Sequence, residues 1–204
     1  MTAQPTRLTT AQEYWLAVAA AVVTANAYYI HPIIGDVARH FGVGAAQIGL
    51  VPALNQLALA LGILLLLPLG DRFSNRTLTI LFTIGQCGGL IVMTLAQGLT
   101  LFTVGSTLLG FFTIAPYLLP AYASKRVAPE RLGHVTAILT AGVIFGILVA
   151  RVGAGVVAEY FGWRTVYWIA TGLMIAITLA KIGRRMKKWL RRMARLLGSA
   201  RRRK

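Results

Sequence analysis

The sequence is poor in acidic residues and in cysteine. Its 204 residues include five Asp and Glu and a single cysteine, Cys87, which lies in an apolar run. One cysteine excludes a disulfide within the chain and a Cys-rich metal site. The sequence also lacks a glycine-rich phosphate loop followed by Lys, and its His, Asp and Ser residues show no spacing typical of a metal site or a hydrolase. We therefore expect neither an enzyme nor a bound cofactor or metal.

Charged residues of either sign are scarce. They make up 13% of the chain, against 57% hydrophobic residues and a mean hydropathy of +0.69, whereas a soluble domain carries about 25% charged residues. These values predict an integral membrane protein, and its long apolar runs are read as spanning helices. The predicted fold class is all-α.

A spanning helix needs about 20 mostly apolar residues, and the sequence supplies six such stretches. We predict transmembrane helices at residues 14–34, 46–69, 77–96, 101–122, 135–157 and 165–182. Pro, Gly and polar residues predict loops at 35–45, 70–76, 97–100, 123–134 and 158–164. The first stretch is too long, and follows too few basic residues, to be a cleaved signal peptide. It is expected to remain in the mature protein.

The uneven distribution of Lys and Arg predicts the orientation, because these residues favour cytoplasmic loops. An amino terminus in the cytoplasm leaves only Arg39 and Arg164 in outer loops and places the remaining loop cations inside, namely Arg72, Arg76, Lys125, Arg126 and Arg131. We expect a multi-pass protein of the plasma or inner membrane with both termini in the cytoplasm. Its domains are a short amino terminus at 1–12, a transmembrane domain at 13–182 and a tail at 183–204.

The tail holds most of the positive charge. Twelve of the 21 Lys and Arg residues lie at positions 181–204, and Trp189 with several Leu and Met residues recurs at helical spacing between them. This pattern predicts a basic amphipathic helix that lies on anionic lipid headgroups, where each Lys or Arg is worth roughly 1 kcal/mol. Nucleic acid is the competing partner for a basic run, but it would leave Trp189 exposed. The lipid-binding residues are expected to include Arg184, Lys188, Trp189 and Arg192.

A charged cluster between two apolar stretches carries a resemblance to a known family. Residues 67–76 read Leu-Pro-Leu-Gly-Asp-Arg-Phe-Ser-Asn-Arg, which is similar to the loop between helices two and three of the major facilitator superfamily of secondary transporters. Leu69, Asp71, Arg72 and Arg76 fit the family pattern, whereas Leu67, Ser74 and Asn75 depart from it. The segments 27–32, 41–43, 61–62 and 161–164 also resemble the amino-terminal half of bacterial sugar or drug efflux permeases, so the likeness extends over about residues 10–182.

The resemblance implies a six-helix bundle built as a 3+3 inverted repeat, half of a facilitator fold. Tyr29-x-x-Pro32 and Tyr117-x-x-Pro120 are a faint sign of that repeat, although coincidence explains so short a match equally well. Because the family usually has about twelve helices, the resemblance favours a half-size transporter that pairs as a parallel homodimer and moves a small organic solute by alternating access. A non-transporting assembly or regulatory protein with the same fold is the alternative.

Small residues four apart on the fifth helix, Gly142, Gly146 and Ala150, offer a surface for the dimer seam. Packing of the same stripe within one subunit is an equal alternative. In the predicted loop at 70–76, the resemblance gives Asp71, Arg72 and Arg76 a gating role, with Asp71 against the start of the partner's fifth helix. A local pair of Asp71 with one of the two arginines is the other interpretation.

Ionisable and polar groups inside the membrane are the candidate solute-binding residues. Arg151 has no carboxylate within a helical turn, so it favours an anionic solute in a central cavity, with snorkelling to headgroups as the alternative. His31 beside Pro32 could couple transport to protons, or serve as a hydrogen-bonded structural residue. The uncharged cavity candidates, each equally able to bond a neighbouring helix, are Asn26, Tyr28, Tyr29, Asn55, Gln56, Thr113 and Tyr117.

Overall fold

The computed structural model describes residues 9–124 and 126–179, which form helices and turns without a strand. The helices are α1 (Thr10–Ala25), α2 (Ile30–Phe41), α3 (Ala45–Leu66), α4 (Leu69–Arg72), α5 (Asn75–Leu95), α6 (Leu99–Phe111), α7 (Leu118–Ser124), α8 (Pro129–Phe161) and α9 (Trp163–Leu179), with a 3₁₀ turn at Ala115–Tyr117 before α7. The predicted tail residues Arg184, Lys188, Trp189 and Arg192 lie outside the described residues.

Five helical segments are long and apolar enough to cross a membrane: Thr10–Phe41, Ala45–Leu66, Thr77–Leu95, Leu99–Tyr117 and Pro129–Phe161. Five of the six predicted stretches are thereby confirmed as apolar spanning helices. The sixth, α9, is described over 17 residues, as far as Leu179. Short connections make successive spans antiparallel, so the connections at 67–74 and 126–128 lie at the same end of the bundle as Thr10.

Several predicted loops are wrong in extent. The loop expected at 70–76 contains the single turn of α4, and α8 begins at Pro129, inside the loop expected at 123–134. The loop expected at 35–45 shrinks to residues 42–44, because α2 continues past Asp36, which pairs with Arg39 one turn later, and stops where Gly42 adopts a φ of 64°. The loop expected at 158–164 shrinks to Gly162, with a φ of 82°. Charged residues in both segments predicted loops, but they lie in helical turns that extend beyond the roughly 20 residues a bilayer requires.

Two spans are interrupted inside the bundle. Residues 26–29 form turns between α1 and α2, and residues 112–117 separate α6 from α7. Pro32 and Pro120 each lie in the first turn of the helix that follows the break, where a missing N–H costs least. The two Tyr-x-x-Pro segments thus occupy equivalent places in the first and fourth spans.

Glycine lets three pairs of helices approach closely. A side chain at Gly62 would meet the Phe111 carbonyl between α3 and α6, and one at Gly89 would meet the backbone of Leu109 between α5 and α6. On α8, a Cβ at Gly142 would lie 2.7 Å from the Ala17 carbonyl oxygen, and one at Gly146 would lie 2.5 Å from that of Ala21. Main-chain contact of this kind is the usual means by which membrane helices pack.

The stripe of Gly142, Gly146 and Ala150 therefore faces α1 of the same chain, with Ala150 only 3% exposed. Packing of the stripe within one subunit was the alternative to a dimer seam. The surface where a second chain was expected is covered by α1 of the same chain, because spans one and five need the small residues to pack together. Any seam between two copies must use another face of α8.

A salt bridge stabilises one end of the bundle, and hydrogen bonds with a cation–π contact stabilise the other end. Near the amino terminus, Arg131 of α8 donates to Glu13 of α1 at 3.1 Å, and the Glu13 side chain is fully buried. At the opposite end, Arg164 donates to the carbonyl oxygens of Thr94 and Ala96 at 3.1 and 2.7 Å and lies over the Trp163 ring. These contacts satisfy carbonyl groups that the end of α5 leaves free.

Replacing Gly146 by Ala should loosen the bundle, since the new methyl group would fall on the backbone of α1. We expect a loss of about 1–3 kcal/mol, the usual cost of overpacking, seen as a lower thermal midpoint in detergent. Gly153→Ala on the same helix is the matched control, because a Cβ there meets nothing within 4 Å. Equal midpoints for the two variants would show that the α1–α8 contact is not close.

Candidate functional site

The break in the first span places two rings side by side. Tyr28 and His31 stack with their centroids 5.6 Å apart, and His31 Nδ1 lies 3.2 Å from the Tyr28 carbonyl oxygen. Pro32 has no N–H for that carbonyl, so the imidazole takes its place. Because a carbonyl oxygen only accepts, Nδ1 is the protonated nitrogen and Nε2 of the neutral ring remains an acceptor. His31 is thus oriented by a structural hydrogen bond.

Arg151 of α8 reaches the same place. Its guanidinium carbon lies 6.0 Å from the centroid of the Tyr28 ring, a distance at the limit of cation–π attraction. The side chain is exposed, and no carboxylate pairs with it among the residues that the structure describes. Counting back from Phe161, it lies about 15 Å inside the end of α8. The cation therefore lies within the span, about two thirds of the way along α8.

Tyr117 extends this surface from the fourth span. It is 43% exposed, and its phenol is near enough to that of Tyr28 for a charge on one to affect the other. The candidate site thus consists of Tyr28 within the first break, His31 directly after it, Tyr117 at the second break, and Arg151. It combines a fixed positive charge, two phenol groups and an imidazole acceptor, which suits a small anionic molecule with hydrogen-bonding groups.

Three other predicted cavity residues are buried between helices. Asn55 is 2% exposed and donates from Nδ2 to the Ser106 carbonyl oxygen at 2.6 Å, which joins α3 to α6. Thr113 is 1% exposed and accepts a hydrogen bond from Gln86, and Asn26 is 3% exposed. Asn55 and Thr113 thus bond a neighbouring helix, the alternative that the sequence left open, whereas Asn26 Nδ2 has no hydrogen-bond partner among the described residues. In this conformation they do not line the surface that carries Arg151.

Tyr29 points to a different place. It lines a cavity of about 400 Å³ between α1, α8 and α9, whose other described lining residues are apolar or glycine. Gln56 is half-buried on α3. The nine predicted residues therefore do not form one cavity. Four of them lie in the candidate site, namely Tyr28, His31, Tyr117 and Arg151.

One polar residue that joins the two interrupted spans was not predicted from the sequence. Gln86 is fully buried in the middle of α5 and bonds both the first and the fourth spans. A Gln in the centre of an otherwise apolar span was the available signal, since a buried amide needs partners.

The loop at 67–74 adds a positive side chain at the amino-terminal end of the bundle. Arg72 ends the single turn of α4 and is exposed. The side chains of Asp71 and Arg76 lie outside what the structure describes, so the gating role of these three residues stays a prediction. No group of three His, Cys, Asp or Glu residues able to hold a metal occurs in the described segments.

Comparison with known families agrees with this architecture. A family model described as Major Facilitator Superfamily matches residues 16–194. The chain belongs to the major facilitator superfamily. This assignment covers all the helices described above, and with their composition it makes the chain a multi-pass membrane protein.

Two proteins similar to this chain carry the word transporter in their names. "Uncharacterized transporter YgaY" of Escherichia coli O157:H7 is 34% identical over 165 residues, which are 81% of this chain and 42% of the relative. "Probable transporter SCO4007" of Streptomyces coelicolor is 30% identical over 166 residues, 81% of this chain and 38% of the relative. The chain thus spans about two fifths of the length of these relatives.

If this facilitator-family surface faces water, a cysteine at position 151 should react with a membrane-impermeant maleimide in a Cys87→Ser background, because only a hydrated thiol forms the reactive thiolate. Val149→Cys is the control, since two residues turn a helix by about 200° and Val149 lines the apolar cavity on the other side of α8. We expect labelling at 151 several-fold above that at 149. Similar slow labelling of both would place Arg151 in lipid.

Proposed function

We propose that this chain is one half of a secondary transporter that moves a small organic solute across the membrane by alternating access, and that a second copy in parallel orientation supplies the other half. The single observation that carries the proposal is Arg151, an exposed cation within a spanning helix that pairs with no carboxylate among the described residues. The superfamily assignment and the names of the two relatives support transport as the activity.

The free-energy cost of Arg151 in the membrane depends on what surrounds its guanidinium group. An Arg at the centre of a bilayer costs about 2.5–3.5 kcal/mol by insertion scales, and more by simulation, unless it meets water or a partner. A water-filled cavity between two halves removes that cost. It also gives the charge a role, because an anionic solute in the cavity would pair with it while Tyr28 and Tyr117 offer hydroxyl groups. Small carboxylates and other carbonyl-rich solutes are therefore the expected class.

Exposed apolar strips on α3 and α8 offer the surface for a second copy. On α8, Ile144, Leu148 and Arg151 follow the i, i+4, i+7 spacing of one helix face, and the two apolar members are 62% and 58% exposed. On α3, Leu50, Leu54, Leu57, Leu61 and Leu64 form a strip of the same spacing and are 36–69% exposed. In the proposed dimer these strips of the second and fifth spans meet across a two-fold axis, with the two Arg151 side chains inside.

The 3+3 repeat, the membrane and the orientation belong to the same proposal. The equivalent breaks before Pro32 and Pro120 support an inverted repeat of three helices. Arg72, Arg126 and Arg131 lie at the end of the bundle that carries Thr10, which favours a cytoplasmic position for that end and for both termini. The basic tail at 183–204 would then lie on the anionic inner surface of the plasma or inner membrane.

Transport by the purified chain in proteoliposomes tests the function. We expect uptake of labelled small carboxylates, and a decrease of about tenfold or more in Arg151→Gln, since a charge-assisted hydrogen bond is worth about 1.5–3 kcal/mol. Arg151→Lys should retain part of the activity. Arg39→Gln is the control, because Arg39 is exposed and pairs with Asp36 at the outer end of α2.

Two results of the transport assay would contradict the proposal. If the folded chain, at two copies per particle, moves no member of a panel of anionic, neutral and cationic solutes, the transport proposal is wrong and an assembly or regulatory role replaces it. If uptake occurs and Arg151→Gln transports as well as the parent chain, the assigned role of the cation is wrong.

A further inference from the structure

The break in the first span frees a main-chain carbonyl in the interior of the bundle. The Ala27 N–H donates to the Thr24 carbonyl at 3.1 Å and the Tyr28 N–H to that of Ala25 at 3.0 Å, so both turns are tightened to a three-residue spacing. The Val23 carbonyl therefore loses the N–H that would follow it four residues later in a regular helix. Without water in the bilayer core, such a group needs a donor from elsewhere in the protein.

The donor is Gln86 of α5. Its Nε2 lies 3.4 Å from the Val23 carbonyl oxygen, and the Gln86 side chain is fully buried. Gln86 lies in the middle of α5, a span that packs against α6. A side chain of the third span thus compensates the break in the first.

The same amide group reaches the break in the fourth span. Nε2 donates to Thr113 Oγ1 at 2.6 Å, and the Thr113 hydroxyl in turn donates to the Leu109 carbonyl at 2.7 Å. Leu109 has lost its regular partner, because the Thr113 N–H donates to Gly110 instead. The Gln86 NH₂ group thus donates directly to the Val23 carbonyl at the first break. At the second break it donates to Thr113, whose hydroxyl satisfies the Leu109 carbonyl.

The chemistry fixes the orientation of this amide. The Val23 carbonyl can only accept, and the hydrogen of the Thr113 hydroxyl is already used toward Leu109, so the NH₂ end must face both. Its two hydrogens serve two breaks. Oε1 of Gln86 has no hydrogen-bond partner among the described residues, and neither has the buried Asn26 Nδ2 beside the first break. No third contact of the amide therefore holds it in place once one of the two is lost.

We propose that Gln86 is a positioning residue that couples the interruptions of the first and fourth spans, so that a change at one break is transmitted to the other. Tyr28 lies within the first break, His31 lies directly after it, and Tyr117 lies at the second break. The coupling therefore sets the relative position of these solute-facing rings. Its consequence for transport rests on the proposed function. The coupling itself does not, and it can be measured without a solute.

Hydrogen exchange of the purified chain in lipid nanodiscs tests the coupling. Gln86→Met removes both donors at similar volume, and we expect amide exchange to rise about fivefold at 27–31 and at 113–118 together, the change that loss of one buried hydrogen bond produces. Thr94→Val is the control on the same helix, because Thr94 bonds Leu90 and Thr171 away from both breaks. It should leave both segments unchanged.

Thr113→Val is the more stringent variant, since it removes only the partner in the fourth span. Coupling predicts faster exchange at 27–31 as well as at 113–118, and Thr113→Ser should restore both. A change confined to 113–118 would overturn the proposal, as would a Gln86→Met protein that keeps its helical circular dichroism and changes at one segment or neither. The Thr113 pair decides the question even if Gln86→Met does not fold.

A transport measurement separates this inference from the proposed function. Where the parent chain transports, Gln86→Met should lower kcat more than it raises KM, because Gln86 positions the site and is buried away from the solute. A KM effect alone would assign Gln86 to solute contact and contradict a positioning role. If the parent chain does not transport, the proposed function fails while the exchange data still decide whether the breaks are coupled.

Discussion

The structure depends on one constraint, that a main-chain carbonyl inside a bilayer must find a donor within the protein. Regular helices meet it automatically, but the first and fourth spans are interrupted and do not. Side chains supply the missing donors: the His31 imidazole binds the Tyr28 carbonyl, the Thr113 hydroxyl binds that of Leu109, and the Gln86 amide reaches Val23. The polar groups that look out of place in apolar spans are therefore the groups that permit the breaks, and the breaks position the rings of the candidate site.

Close packing through small residues determines which faces remain available. Because α8 uses Gly142 and Gly146 against α1, and α3 and α6 meet at Gly62 and Gly110, the faces with large apolar side chains are turned outward. Hydrophobicity does not drive association between helices in lipid, so backbone proximity and hydrogen bonds hold the bundle together. Arg151 lies on an outward face of α8, and its charge distinguishes that face from one that simply contacts lipid.

Apolar runs were sufficient to predict the spanning helices, since length and hydropathy follow directly from the thickness of the bilayer. They did not predict where the helices end, because Asp36 and Glu159 lie in helical turns beyond the apolar core. Arg151 was predictable as a charge in an apolar run. Its association with Tyr28 depends on how α8 rotates against the first span, which sequence spacing does not determine. Gln86 belongs to no repeating pattern in the sequence, and only the three-dimensional structure shows that it joins the two breaks.

The central claim is that a second copy covers the face that carries Arg151. Pulsed electron resonance between spin labels at a single introduced cysteine, in a Cys87→Ser background in nanodiscs, tests it most directly. A two-fold partner on this face predicts a defined distance between labels at position 151 that is shorter than the distance between labels at 149, on the opposite side of α8. An absent distance at 151, or a shorter one at 149, would contradict the proposed arrangement.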